Sequence, residues 1–506
     1  MEIKLLGALD YKKVEKVLEE KIPDKEEREK LLEEIRQIEI ARRSEIVSSA
    51  GRLSRAAGTV LDIVGISESK TLEQNINFAN RVIGMGHDSI SDHDYCVFAI
   101  KDVSPVVEQT IIEERFASFT IKSRREADFS KVGFYTPDFY DAAGNLLPNN
   151  EELKREYKEH MQMLFASYGK LKEAAVPIED ARFVLPYCYH SNILMGMDAH
   201  SVKDLIVKLT KTKYSNIQEL REFGEKLYDI AKEQMPYIIP EIDKVRVTDV
   251  DAAEELIKAT IPREHQPVKD QTKLLHVSEG NIDDTILISA IMRRYNYDRE
   301  RAEKVYFEAC KANPNFKKEL MKKIAFESDG LELTQVNFQF ETALSLAILT
   351  HLTRHRTHDI ITPDFVPNLD IENYKTPPKI ASNEEASAIY HDAFALNKAM
   401  YDHFKECGVR EEDLIYFTLS GTLTNVLTNM DGKTLKHILG LRECTKAQWE
   451  TRQMANAMHE EVKKIPGTEV FETVLGPTCV TQGVCNEGKE CCGKVYALQR
   501  KQNKEQ

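Results

Sequence analysis

An internal repeat of long period is the feature that most constrains the fold of this chain. Ser191–Ile206 reads SNILMGMDAHSVKDLI and Thr424–Leu439 reads TNVLTNMDGKTLKHIL. Five of the sixteen positions are identical, and six more exchange Ser for Thr or one aliphatic residue for another. Asp198 and Asp431 occupy equivalent positions 233 residues apart. Self-similarity at a fixed distance indicates one folding unit encoded twice.

A second pair of segments supports the duplication. TPDF occurs at Thr136–Phe139 and again at Thr362–Phe365, 226 residues later. Upstream of each lies an arginine-bearing segment, IIEERFASF around Arg115 and LTRHRTHD around Arg356, and these two arginines are 241 residues apart. The second copy is therefore 15 residues shorter between its arginine and its TPDF.

Apolar periodicity predicts an α+β fold in which each copy has an antiparallel sheet with packed helices. Strands are predicted at Tyr95–Ile100 and Val336–Phe340, and a charged helix with an apolar stripe at Glu151–Ala175. In copy one, the apolar spacing predicts a helix over residues 202–209 and another over 220–230. In copy two, it predicts one helix running from Leu435 through Met458.

The repeat also sets the predicted domain boundaries. Copy one is placed at about residues 1–240 and copy two at about 245–470, followed by a cysteine-containing tail over 471–506. The segment Asp243–Gln271 is rich in charge, carries Pro262 and Pro267, and is predicted to hold the linker.

Composition narrows the classes of function. Of 506 residues, 42% are hydrophobic and 30% charged, and the formal net charge is -14. An acidic chain is not expected to bind nucleic acid or acidic membranes non-specifically. There is no apolar run of about 18 residues, and the N-terminus has no signal-peptide pattern, so a cytoplasmic location is the expectation. An anionic substrate would need arginines gathered locally.

Two basic motifs are candidates for such a site. Arg354-His355-Arg356 offers two guanidinium forks that suit a phosphate, although the same triplet could simply cap the C-terminus of a helix. The loop Ser118–Arg125 combines hydroxyls and guanidinium groups in a plausible phosphate cradle. A basic surface loop is the alternative interpretation of that segment.

The motifs together, and in this order, resemble the flavin-dependent thymidylate synthase (ThyX) family. That family has an Ala-Ala-Arg-Val-Ser segment, a Gly-His-x-Ser/Thr-x-x-Glu-His segment, an Arg-His-Arg triplet followed by Ser-x-Arg, an Arg-x-x-Leu-Pro segment, and a late helix with an arginine ahead of Ala-Gln-Trp-Glu. Copy one matches with Ala50–Ser54, Gly86–His93, Ser123–Arg125 and Arg182–Pro186. Copy two matches with Arg354–Arg356 and with Arg442 followed by Ala447–Glu450.

The two copies are complementary in what they have lost. Copy one has Glu113 and Glu114 in place of the first Arg and the His of the triplet, and Leu209 in place of the late arginine. Copy two lacks the Ser-x-Arg loop and has Ile415 near the position of Arg182. Each arginine lost from one copy has its counterpart retained in the other.

The resemblance implies reductive methylation of dUMP to dTMP, with FAD as cofactor, methylenetetrahydrofolate as carbon donor and NADPH as reductant. The residues implied to bind the nucleotide are Ser118, Ser123, Arg125, Arg182, Arg354 and Arg442, of which Arg182, Arg354 and Arg442 are the candidate catalytic residues. Those implied to bind FAD are Ser54, His87, Ser89, Asp92, Arg115, His355 and Arg356.

The family's tetramers share each nucleotide site between subunits, so two duplicated chains are expected to form a homodimer equivalent to a tetramer. Several positions depart from the family pattern, namely Ile121, Glu126, His351 and the pair Asp198/Asp431. These departures leave open a non-catalytic paralogue, or one that acts on another pyrimidine nucleotide.

The tail is outside the family pattern. Cys479, Cys485, Cys491 and Cys492 lie within fourteen residues, which in a chain without a secretion signal suggests thiols or a metal more than disulfides. Four thiolates could bind zinc, although structural zinc sites more often use pairs of cysteines two to four residues apart. Reduced thiols on a mobile tail are the alternative.

Overall fold

The computed structural model describes residues 1–5, 11–246, 252–262, 267–364 and 370–496. The chain forms two compact units, one from Met1–His265 with Pro378–Leu419 and the other from Gln266–Pro377 with Ser420–Gln506. The segment Pro378–Leu419, which the sequence assigns to the second copy, thus packs with the first unit. Phe365 of the second TPDF and the end of the tail after Tyr496 lie outside the described residues.

A four-stranded antiparallel sheet is built in the first unit. Its strands are β1 (Glu2–Leu5), β2 (Tyr95–Val103), β3 (Ala117–Ile121) and β4 (Ser191–Asp198). They are arranged in the order β1-β2-β4-β3. Tyr95 of β2 lies opposite Asp198 of β4.

The second unit repeats this sheet. Its strands are β5 (Thr272–Val277), β6 (Asn337–Ser345), β7 (Asp359–Ile361) and β8 (Leu423–Asp431), in the order β5-β6-β8-β7. Asn337 of β6 lies opposite Asp431 of β8, in the register that pairs Tyr95 with Asp198 in the first unit. The α+β class is confirmed, and the repeated topology supports the duplication inferred from sequence.

The repeated aspartate has the same structural role in both units. Asp198 ends β4 and caps the helix Ala199–Lys211, accepting a hydrogen bond of 2.7 Å from the Ser201 N–H. Asp431 ends β8 and caps the helix Gly432–Arg442 through an equal bond to the Thr434 N–H. A side-chain acceptor at this position satisfies a backbone donor that the helix itself leaves unpaired.

Helices account for most of the remaining described structure. The first unit contains the α-helices Tyr11–Lys21, Lys25–Leu53, Val60–Glu68, Leu72–Ile83, Pro105–Ile112, Asn150–Glu173, Ile178–Ala181, Ala199–Lys211, Gln218–Gln234, Ile239–Lys244, Ala252–Thr260, Pro378–Ala381, Glu384–Glu406 and Glu411–Leu414. The second contains Ile282–Tyr295, Arg299–Ala312, Phe316–Lys322, Leu346–Thr353, Gly432–Arg442, Trp449–Lys463 and Thr478–Thr481. None of the helices in the described ranges is long and apolar enough to cross a membrane.

The sequence prediction of one helix from Leu435 through Met458 is wrong. The chain forms Gly432–Arg442 and Trp449–Lys463, separated by a short loop. The second helix starts because the Gln448 side chain accepts hydrogen bonds from the N–H groups of Glu450 and Thr451, at 2.7 and 3.1 Å. Glutamine is an uncommon capping residue, so Gln448 is not recognised from the sequence as the start of a helix. The apolar periodicity alone did not indicate the break.

A buried glutamate links two helices in each unit. In the first, Glu219 accepts a hydrogen bond of 2.8 Å from the N–H of Ser104, the residue that caps the helix Pro105–Ile112. In the second, Glu450 accepts from the N–H and the hydroxyl of Ser345, at 2.8 and 2.6 Å. Ser345 precedes the helix Leu346–Thr353, which is the equivalent of Pro105–Ile112.

We expect Glu219→Ala to destabilise the first unit. It leaves the buried Ser104 N–H without its acceptor, which costs about 1–3 kcal/mol, and should lower the melting temperature by several degrees in a calorimetric scan. Glu219→Gln keeps an acceptor and should lose less. The exposed Glu233→Ala, on the same helix, should leave the melting temperature nearly unchanged.

The same variants have a pH signature. Burial raises the pKa of Glu219 to about 7, so between its ordinary value near 4.5 and that pH the folded state holds a proton that the unfolded chain has released. The contribution of Glu219 to the free energy of unfolding therefore falls as the pH rises through that window, by at most about 1.4 kcal/mol per pH unit. Glu219→Gln should lack this component, and an identical pH profile in both proteins would contradict the assignment.

Candidate functional site

The Ser-x-Arg loop of the first unit follows strand β3. The Ser123 hydroxyl accepts a hydrogen bond of 3.2 Å from the Arg125 N–H, and the Ser123 carbonyl accepts one of 3.0 Å from the Ala127 N–H. These two bonds fix a turn that begins at Ser123 and holds the backbone of Arg125 in place. Fourteen residues, from 122 to 135, separate β3 from Thr136, whereas β7 of the second unit ends directly before Thr362. The structure thus bears out the shorter connection that the sequence indicates.

Glu179 gathers the two arginines implied to bind the nucleotide in this unit. Its carboxylate accepts from Arg125 Nε at 3.0 Å, and its backbone carbonyl accepts from Arg182 Nε at 3.1 Å. The Arg182 side chain is buried, while that of Arg125 is about one-third exposed, at 30%. The structure therefore brings Ser123, Arg125 and Arg182 together, as the resemblance implies.

Arg124, between the two family positions, has an anchoring role. Its buried guanidinium donates to Glu108 at 3.0 Å and lies over the ring of Tyr189 at 5.4 Å. Glu108 also accepts a hydrogen bond from the hydroxyl of Ser191 at the start of β4. The loop is thus tied to the core of the sheet by Arg124, so that its neighbours can face a ligand.

The second unit gathers the other group of cationic residues. Arg442, the last residue of the helix Gly432–Arg442, donates from Nε to the His355 ring at 2.9 Å and from a terminal nitrogen to the His351 carbonyl at 3.1 Å. Arg354 and Arg356 flank His355 and are exposed. The triplet and the late arginine, 87 residues apart in the chain, therefore meet in one place.

His355 is held neutral at this position. Burial, together with the positive charge of Arg442, lowers its pKa to about 3. A neutral imidazole can accept the hydrogen bond from Arg442 Nε, and an imidazolium cannot. Arg442 thus approaches the triplet without repulsion from a second charge at His355.

The corresponding place in the first unit has the opposite chemistry. Glu114, at the position equivalent to His355, forms an ion pair of 2.8 Å with Lys208 on the helix Ala199–Lys211. Glu113 accepts a hydrogen bond of 2.8 Å from Gln109. Leu209, which stands where the late arginine would be, is fully buried. The charge of Lys208 is thus neutralised by Glu114 within the first unit. A place that carries two glutamates and no late arginine does not suit a phosphate.

Three of the residues implied to bind FAD line one cavity of the first unit. Ser54, His87 and Ser89 lie on the wall of a cavity of about 720 Å³, together with His93. Ser54 follows the helix Lys25–Leu53, and Ser89 belongs to a short 3-10 helix.

The donor set of this cavity fits a dinucleotide cofactor. Arg52, Arg55 and Arg81 line it, and Arg55 contacts His87 at 3.3 Å. Arg52 and Arg81 lie over the ring of Phe78, at 4.2 and 5.6 Å from its centroid. Guanidinium groups suit a diphosphate. These residues could therefore hold FAD.

The remaining candidates lie at other positions. Asp92 pairs with His200 at 2.9 Å, and with Asp198 these residues form a group whose potential ligand atoms lie within 4.8 Å of one another. Arg115 is exposed between the helix Pro105–Ile112 and β3 and does not line the cavity described above. The prediction of one loop over Ser118–Arg125 is wrong in its first half, because Ser118 lies on β3, opposite Gly196 of β4, and the loop begins only after Ile121.

Several residues of the site were not singled out from the sequence. Glu179 could have been noticed because it lies one helical turn before Arg182, but its contact with Arg125 depends on the fold. Arg55 and Arg81 had no local signal beyond their charge. The four tail cysteines line a separate small cavity of the second unit, which they share with Cys444.

Comparison with known proteins agrees with this arrangement. The sequence model of the family described as "Thymidylate synthase complementing protein" matches residues 37–237 and 279–466. Each matched segment contains three of the four strands of one sheet, β2 to β4 in the first and β6 to β8 in the second.

Relatives of this chain include proteins named flavin-dependent thymidylate synthase. The one from Clostridium tetani is 30% identical over 187 residues, covering 33% of this chain and 74% of the relative. Those from Sulfurisphaera tokodaii and Sulfolobus acidocaldarius are 35% and 33% identical over 154 and 156 residues, covering 30% of this chain and 58% and 57% of the relatives. On this evidence the chain belongs to the thymidylate synthase complementing protein family, a family of enzymes.

Proposed function

We propose that this protein is a flavin-dependent thymidylate synthase in which each half supplies part of the machinery. The overall reaction is the reductive methylation of dUMP at C5 to give dTMP, with methylenetetrahydrofolate as carbon donor and NADPH as reductant. The proposal depends on one observation: the arginines that one half has lost are retained in the other half. The group Ser123, Arg125 and Arg182 is gathered in the first unit, and the group Arg354, His355 and Arg442 in the second.

The arginines have a clear physical task in this reaction. A phosphomonoester dianion needs several fixed guanidinium groups to replace its hydration, and Glu179 and His355 already orient two of them, Arg125 and Arg442. We assign Arg182, Arg354 and Arg442 to the stabilisation of negative charge that develops on the uracil ring. The protein supplies positioning and electrostatics.

FAD belongs to the proposal through the cavity of the first unit. Bound FAD would supply the redox chemistry of the reaction. Arg52, Arg55 and Arg81 would hold its phosphates, and Ser54, His87 and Ser89 would hydrogen-bond its polar groups. Asp92, Arg115, His355 and Arg356 remain proposed FAD ligands on the resemblance alone. A homodimer equivalent to the family's tetramer is also part of the proposal.

A paralogue that binds another nucleotide, or performs no chemistry, is the alternative. His351, where the family has glutamine, uses its ring to bond Thr451 at 3.1 Å and its carbonyl to bond Arg442. The bond to Arg442 comes from the backbone carbonyl, which glutamine would also offer, so the substitution leaves the support of Arg442 in place.

We expect Arg125→Ala and Arg442→Ala each to weaken dUMP binding strongly. Removing a guanidinium that pairs with a charged or polar group of the bound nucleotide costs about 2–5 kcal/mol, or roughly 30- to 4,000-fold in affinity. Because both residues act on one ligand in this proposal, the double variant should lose less free energy than the sum of the two. Isothermal titration calorimetry with dUMP measures all three.

Matched controls come from exposed arginines in each half. Arg155→Ala and Arg299→Ala remove side chains that are 67% and 66% exposed and pair with nearby glutamates on their own helices. Both should bind dUMP like the parent protein. Loss of affinity in Arg125→Ala with none in Arg442→Ala would reject the sharing of one nucleotide by the two groups.

We also expect the purified protein to be yellow with bound FAD. His87→Ala should weaken FAD binding about tenfold, because a polar contact of the cavity wall is worth about 1–1.5 kcal/mol. Fluorescence titration of the flavin-stripped protein measures the affinity. His276→Ala, a change to an exposed histidine of β5, serves as the control. A colourless protein that gives no response to added FAD would contradict the proposal.

A further inference from the structure

The described part of the C-terminal segment closes around a cluster of thiols. These residues, here called the thiol cluster, line one small cavity of about 20 Å³ and are Cys444, Cys479, Cys485, Cys491 and Cys492. All five are free thiols, and they make up more than half of the nine cysteines in the chain. A cavity of this volume accommodates about one water molecule or one small ion. Cys444 comes from the loop before the helix Trp449–Lys463, so two separate segments contribute.

A backbone donor is aimed at one sulfur of the tail. The Gly493 N–H donates a hydrogen bond of 3.4 Å to the sulfur of Cys491. This bond joins the turn at Gly493 to a thiol that lines the cavity.

Two glycines make the turns that this arrangement requires. Gly488 has φ +53° and Gly493 has φ +83°, a region that residues with a side chain rarely adopt. Gly488 lies between Cys485 and Cys491, and Gly493 directly follows Cys492. Gly488 thus allows a turn between Cys485 and Cys491, and Gly493 allows one directly after Cys492.

An ion pair holds the two segments together. Lys446, two residues after Cys444, binds Glu490 at 2.7 Å, and Glu490 directly precedes Cys491. Lys446 and Lys494 also line the cavity. Their positive charges would offset the excess negative charge of several thiolates around a divalent cation.

We propose that the thiol cluster is a zinc site with Cys444, Cys479, Cys485 and Cys491 as ligands. These four are half-buried, whereas Cys492 is exposed. Zinc prefers four sulfur ligands in a tetrahedral arrangement when its role is structural. The four thiols lose their protons as the four Zn–S bonds form, so four protons are released to solvent.

Zinc binding would tighten this part of the chain. Within the described ranges, the group with ligand atoms already within 4.8 Å of one another is Asp92, Asp198 and His200, and the sulfurs of the thiol cluster are not gathered that closely. A zinc ion would draw them inward to Zn–S distances of about 2.3 Å. It would thereby fasten the tail to the loop that follows Arg442 in the sequence.

The test uses the full chain, purified without chelators. We expect about one zinc per chain by mass spectrometry of the elements, and the near-ultraviolet absorption of a tetrahedral thiolate complex after replacement by Co²⁺. Cys444→Ser and Cys485→Ser should each reduce zinc to below about 0.2 per chain. Cys310→Ser, which changes a half-buried cysteine of the helix Arg299–Ala312 in the same unit, should keep it.

Three results would overturn the proposal. The first is less than about 0.2 zinc in the parent chain with all five thiols free to react with a thiol reagent. The second is a disulfide between Cys485 and Cys491, detected by peptide mass spectrometry in protein kept under reducing conditions. The third is zinc lost in Cys492→Ser but kept in Cys444→Ser, which would reject the ligand set. Far-UV circular dichroism of each variant separates loss of zinc from loss of the fold.

Discussion

The buried carboxylate at the start of a helix is the interaction on which each unit depends. Glu219 and Glu450 each accept the N–H of a serine that begins the helix after the second strand of the sheet, Ser104 and Ser345. A buried N–H of this kind is costly to leave unpaired, so the bond fixes where that helix begins. The residue that follows this helix is Glu113 in one unit and Arg354 in the other.

The two units hold the start of this helix in the same way but place different side chains after its end. In the second unit, Glu450 holds one end of the helix Leu346–Thr353 and Arg442 contacts His355 just past the other end. In the first unit, Lys208 and Glu114 form an ion pair at the corresponding place. A polar link between the helix after the last strand and this turn is kept in both units. In the second unit it joins Arg442 to a neutral histidine, and in the first it joins Lys208 to a carboxylate.

The duplication made most of the fold predictable. Asp198 and Asp431 could be matched because a strand that runs into a capped helix leaves both an apolar alternation and a capping residue in the sequence. The break at Gln448 could not be foreseen, since its side chain satisfies donors that serine or aspartate usually satisfies. The packing of Pro378–Leu419 with the first unit was also hidden, because local pattern does not say which of two similar sheets a helix joins.

In the candidate site, as in the fold, short motifs reveal some residues, whereas contacts between distant residues become apparent only in the structure. Arg125, Arg182 and Arg442 stand out in the sequence because short motifs carry them, whereas the contact of Glu179 with Arg125 is recognisable only once the loop is folded. Each unit also supplies a local acceptor for its own arginines, Glu179 for Arg125 and Arg182 in the first and neutral His355 for Arg442 in the second. A guanidinium that is already held in one direction loses less conformational freedom when an anion binds, so these acceptors lower the cost of ordering the arginines.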